Sequence, residues 1–72
     1  MPESSKSWVT EKPYVVATEG GAKRSDHYTY SAAKQAAKDA NGVRVIYGRH
    51  RGHWVQGLTY KRGVLMPRIE RS

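Results

Sequence analysis

The sequence predicts an α+β domain, one short helix packed on a small antiparallel sheet in the order β-α-β-β-β. Three observations lead there. Alanines at 33, 36, 37 and 40 recur at the spacing of one helix face. Residues 43–47 and 54–60 read as strands joined by an Arg51-Gly52 turn, and a second Arg-Gly pair follows at 62–63. Finally, 72 residues suffice for one small core and leave no room for a second domain.

The elements follow in order. Residues 1–7 are polar and Ser-rich and read as a flexible tail, so the single domain is expected over 8–70. With one cation and no apolar run, Met1–Ser7 does not read as a signal peptide. Tyr14–Thr18 is β-branched and aromatic, the first strand. Trp8-Val9-Thr10 is a candidate upstream extension, which Pro13 would confine to an edge or a bulge because it lacks a donor. Glu19–His27 reads as a loop turning at Gly20-Gly21. Ser31 is the expected N-cap of a helix from Ala32 to about Ala40, ended by a left-handed turn at Asn41-Gly42. Its alanine face buries little area but allows close approach, so aromatic side chains must fill the core from the sheet.

In the second half Val43, Val45 and Tyr47 point one way, with Arg44 and Ile46 opposite. Centring the turn on Arg51-Gly52 pairs His50 with His53, Val45 with Leu58 and Val43 with Tyr60. That register predicts one common apolar face. Val64–Pro67 is the last strand, and Pro67 places it at an edge. Such an edge can pair with a second copy, which leaves the oligomeric state open.

Composition narrows the function. Thirteen Lys and Arg against six Asp and Glu give a net charge of +7. The absence of cysteine excludes disulfides, thiolate metal sites and thiol chemistry, and with them any sign of secretion. No apolar run approaches the length of a membrane span, so a cytoplasmic protein is expected. The charge is lopsided. Residues 1–42 hold six cations and five anions, a net of +1; residues 43–72 hold seven cations and one anion, a net of +6. Six of those seven are Arg, whose forked donors suit phosphate, so a polyanionic partner is indicated.

No constellation suggests catalysis. His50 and His53 form H-x-x-H, but zinc needs three or four ligands and the neighbours Arg49 and Arg51 repel a dication. No metal and no cofactor is expected. Ser25-Asp26-His27 has the residue types of a catalytic triad, yet adjacent residues are not expected to converge. Gly20–Ser25 lacks the spacing of a phosphate loop. The most specific signal is Tyr47–Trp54, which gathers two Arg, two His and flanking aromatics on one hairpin tip. Arg reaches phosphates and guanine edges while Tyr and Trp stack on bases. The candidate binding residues are Arg44, Tyr47, Arg49, His50, Arg51, His53, Trp54, Lys61 and Arg62. The competing role for Tyr47 and Trp54 is core packing, in a chain without Phe. The expectation is a non-enzymatic basic protein that binds nucleic acid, DNA rather than RNA.

The layout from Tyr14 to Tyr60 resembles small phage and prophage βαββ proteins, including anti-CRISPR proteins that dock on a type I surveillance complex. The resemblance rests on Tyr30-Ser31-Ala32-Ala33-Lys34-Gln35-Ala36-Ala37-Lys38, on Val43-Arg44-Val45-Ile46-Tyr47 and on Gly52-His53-Trp54. It implies no catalytic residue. It also implies the alternative function of a phage-encoded inhibitor acting in the host cytoplasm on a protein or nucleoprotein complex. A basic chain would there contact an acidic surface or the bound nucleic acid rather than imitate DNA.

Overall fold

The computed structural model describes residues 8–67. The expected tail, residues 1–7, and the last expected domain residues, 68–70, lie outside the described residues. Five strands and one helix follow in the order β1 (Tyr14–Thr18), β2 (Lys23–His27), α1 (Tyr30–Asp39), β3 (Val43–His50), β4 (His53–Lys61) and β5 (Val64–Leu65). The strands form one antiparallel sheet ordered β2-β1-β3-β4-β5, so the expected α+β class is observed. Among the described residues no helix is long and apolar enough to cross a membrane.

One strand is additional to the expected order. Lys23–His27, read as loop, is the edge strand β2, paired with β1 from Tyr14↔His27 to Ala17↔Lys23. Its sequence, Lys-Arg-Ser-Asp-His, has no apolar residue because it buries none. An edge strand with charged side chains and a bulge resists pairing with foreign strands, and β2 has both.

The helix starts earlier than expected. Thr29, not Ser31, is the N-cap, in extended conformation, and its hydroxyl accepts the Ala32 N–H at 3.1 Å. Both residues are competent caps, and tertiary packing chose the earlier one by bringing the Tyr30 ring to Tyr14 at 5.5 Å. The C-cap is Ala40 in extended conformation, and neither Asn41 nor Gly42 has a positive φ. Ala33 and Ala37 are fully buried, as their spacing requires, and Ala36 packs beside them.

Both faces of the sheet carry buried apolar groups. Towards the helix lie Val16, Ile46 and Tyr60, with Tyr14 and Leu58 alongside. On the opposite face lie Val15, Ala17, Val45 and Tyr47, covered by Trp8 and Trp54. Trp8–Thr10 therefore does not extend β1. It crosses the second face as a strap. The expected single apolar face fails for a related reason: a bulge in β4 sets Gly57 and Leu58 against Ile46. His50↔His53 is kept, but Val45 now opposes Thr59 and Val43 opposes Lys61. The extra residue turns Leu58 and Tyr60 to the helix side while Trp54 stays on the strap side.

Both Arg-Gly turns have positive φ at each central residue, 53° and 81° at Arg51-Gly52 and 52° and 82° at Arg62-Gly63. This is the type I′ pattern, whose twist matches that of the flanking strands. The second turn also docks on the helix end. The Arg62 N–H donates to the Gly42 carbonyl at 3.2 Å, and a Cβ on Gly63 would sit 2.8 Å from the Lys38 carbonyl oxygen. Nothing lies within 4 Å of the same position on Gly52. Gly52→Ala is therefore expected to cost about 1 kcal/mol, the strain of a left-handed L-residue. Gly63→Ala adds a backbone clash and should cost at least about 2 kcal/mol in urea denaturation. Equal losses would refute the docking of the second turn.

Candidate nucleic-acid interface

Alternation along β3 divides the candidate residues between faces. Arg44, Ile46, Gly48 and His50 face the helix; Val43, Val45, Tyr47 and Arg49 face the strap. Tyr47 is 9% exposed, with the Trp8 ring edge-on at 4.9 Å. Trp54 is half-buried, 5.5 Å from Trp8. These two aromatics belong to the core of the strap face rather than to the exposed tip.

Arg49 is likewise engaged. Its guanidinium donates to the Thr10 carbonyl at 2.8 Å and the Glu11 carbonyl at 3.2 Å, and lies 5.4 Å from the Trp54 ring. Its backbone N–H donates to the Pro13 carbonyl at 2.8 Å. Arg49 thus clamps the strap onto the sheet. Arg44, at the other end of β3, is half-buried and donates to the Val43 carbonyl at 2.8 Å.

The remaining candidates fall into two groups. His50, Arg51 and His53 are exposed at the β3–β4 turn, while Lys61 and Arg62 are exposed at the β4–β5 turn. Nine residues of β4 separate them, about 26 Å at a strand's rise per residue. The candidates do not make one patch. Instead both ends of the β3–β4 hairpin are basic, and the middle of β3, Val45–Tyr47, is core.

Among residues 8–67 there are ten Lys and Arg against Glu11, Glu19, Asp26 and Asp39, a net of +6 (10 − 4). The two ion pairs among the described residues both use Asp26, with Lys12 at 3.5 Å and Lys23 at 3.2 Å. Arg51, Lys61 and Arg62 therefore stand without a carboxylate partner among the described residues. His50 and His53 face each other across the ladder, but no three His, Cys, Asp or Glu side chains there gather as a metal site.

The adjacent Ser25-Asp26-His27 does converge in part. Ser25 Oγ and His27 Nε2 lie 2.8 Å apart, because residues two apart share a strand face. Asp26 points to the other face and holds the strap, accepting the Thr10 hydroxyl at 2.7 Å. The carboxylate of a triad is thus on the wrong side of the strand to orient this histidine. Sequence reading missed the strap itself. The available signal was Trp8, a large apolar side chain in a polar stretch of a chain short of aromatics.

Asp26 makes the strap sensitive to acid. The Thr10 hydrogen bond, then that from Lys23, and the charges of Lys23 and Lys12 lower its carboxyl from 3.8 to about 2, against a smaller opposing effect of burial. A carboxyl depressed on folding stabilises above its unfolded pKa, and that contribution is lost as pH falls through the folded value. The strap should loosen between about pH 4 and pH 2. Both tryptophans of the chain lie in this cluster, so tryptophan emission reports on it directly. Emission should shift to the red over that window, and Asp26→Asn should flatten the change. At neutral pH Arg49→Ala should produce the same red shift and lose roughly 1–2 kcal/mol, the value of its bonds to two carbonyls. Unchanged emission in Arg49→Ala would show that the clamp is not needed.

No protein-family model, curated protein or solved structure matches the chain, so a functional reading rests on these residues alone.

Proposed function

We propose that this chain is a small, non-enzymatic basic protein that binds nucleic acid, DNA rather than RNA, through the basic end of its β3–β4 hairpin, in the cytoplasm. One observation carries the reading. Arg51 occupies a left-handed position, φ 53°, where Asn, Asp or Gly is the stable choice. Strain kept at a surface turn points to a use for the side chain. There Arg51 projects beyond the sheet between His50 and His53, with no carboxylate partner among the described residues. A forked cation so placed reaches phosphates without first breaking an internal ion pair. The same choice recurs at Arg62, φ 52°, so both turns give up stability for charge.

A second reading is an inhibitor of phage origin that docks on a host protein or nucleoprotein complex. It is favoured by the exposed apolar edge at Val64 and Leu65, 64% and 50% exposed. Affinity capture from host lysate with and without nuclease separates the two. A partner lost with nuclease supports nucleic acid, and one retained supports docking.

The nucleic-acid reading has a direct test. Arg51→Asn relieves the strained turn and removes one cation, so the variant should be more stable by about 0.5–1 kcal/mol yet bind more weakly. The slope of log affinity against log salt should fall by about one. Lys38→Ala, which removes the same charge from the last turn of α1, should bind nearly as the parent does. Equal losses in two folded variants would mean that net charge alone governs binding.

A further inference from the structure

We infer that the hairpin end receives unpaired nucleobases on its helix side, so that single-stranded rather than duplex nucleic acid is the preferred ligand. This rests on the nucleic-acid reading above and specifies the ligand class.

The helix does not roof the whole sheet. It begins at Tyr30, whose hydroxyl lies 3.5 Å from where a Cβ on Gly57 would stand. Beyond Gly57, towards the turn, no other described element covers the helix side of the β3–β4 hairpin, and His50, His53 and Val55 are exposed there. Among the described residues no strand pairs with the edge of β4 there, because the β5 ladder is confined to Tyr60 and Lys61.

The side chains on this ledge are flat rings and one aliphatic group. Tyr14 lies against Gly48, 3.4 Å from where a Cβ would be, so the missing side chain lets the ring rest on the strand. Tyr30 stands 5.5 Å from Tyr14 with the planes at 57°, and is itself 36% exposed. Val55 opposes Gly48 in the ladder and is 52% exposed. His50, two residues beyond Gly48 on the same face, is paired with His53. Four rings and a valine thus share one unroofed surface. The Lys34 ammonium lies 5.8 Å from the Tyr30 ring at one end, and Arg51 sits at the other.

Exposed rings beside cations that have no carboxylate partner among the described residues suit a planar ligand on an anionic backbone. Bases stack on aromatic side chains whatever their identity, while the cations follow the phosphates. A duplex hides its base faces within its own stack and offers this ledge only edges and phosphates. The unpaired strand is the better fit.

The test compares three labelled oligonucleotides of about twelve nucleotides by fluorescence anisotropy at low salt: single-stranded DNA, the matching duplex, and an abasic strand with the same phosphates. Single-stranded DNA should bind at least about tenfold more tightly than the abasic strand, and more tightly than the duplex. Tyr30→Leu, which retains apolar bulk, should erase most of that difference while abasic binding persists. His50→Ser with His53→Ser, changed at exposed positions outside the core, should do the same if Tyr30→Leu fails to fold. Tyr28→Ala is the control. That ring is more exposed than Tyr30, at 64%, but lies over Lys12 beside Asp26 on the strap side, so affinity should hold. Equal affinity for abasic and base-bearing strands, or a duplex bound as tightly as the single strand, overturns the ledge. Binding to none of the three overturns the nucleic-acid reading itself.

Discussion

A sheet with buried apolar side chains on both faces needs two covers, and this chain supplies only one ten-residue helix among its described residues. The second cover is a strap of irregular chain. A strap has no internal hydrogen-bond ladder, so its placement depends on side chains reaching up from the sheet. Arg49 donates to two of its carbonyls, Asp26 accepts its threonine hydroxyl, and Tyr47 and Trp54 meet its tryptophan ring. Without these contacts Val15, Ala17 and Val45 would face water. For a domain this small, that is a large part of the buried core.

The same requirement explains why the basic hairpin is divided in use. The middle of β3 is core on both faces, with Val45, Ile46 and Tyr47 buried, so the exposed charge of the hairpin lies at its two turns. The first turn extends past the start of the helix; the second is pinned beneath the helix end by Gly63 and the Arg62 N–H. Arg51 and Arg62 share a backbone geometry but differ in surroundings. Arg51 is exposed at a turn whose glycine, Gly52, has nothing within 4 Å of a Cβ, whereas Arg62 is tied by its backbone to Gly42. The two ends are unequal despite similar charge.

Much of the fold was legible from local chemistry. The alanine spacing placed the helix to within two residues, the Arg-Gly pairs gave both turns, and the alternation in Val43–Tyr47 gave the central strand. Strand β2 was hidden because its five residues carry no apolar signal and are held through backbone pairing to β1. The bulge was hidden too. Gly57 is compatible with either register, and only the pull of Leu58 and Tyr60 towards the helix-side core selects the shifted one. Of the candidate site, the charge and the exposed tip could be read directly. That Arg49, Tyr47 and Trp54 are engaged in structure could not, because their partners lie 38 or more residues earlier in the chain, at Thr10 and Glu11 or at Trp8.

The sequence by itself determined what depends on neighbours along the chain: helix spacing, competent caps, turn chemistry, strand alternation and the concentration of arginine after residue 42. Tertiary structure decided what depends on which face a side chain reaches. It made Arg49 a clamp and left Arg51 exposed without a carboxylate partner among the described residues, although they are two residues apart and of the same type. It set Asp26 on the opposite side of its strand from Ser25 and His27. The physical reason is the two-residue period of a strand. A single added residue or a shifted pairing moves a side chain from core to solvent, and the energy that chooses between them comes from contacts distant in sequence.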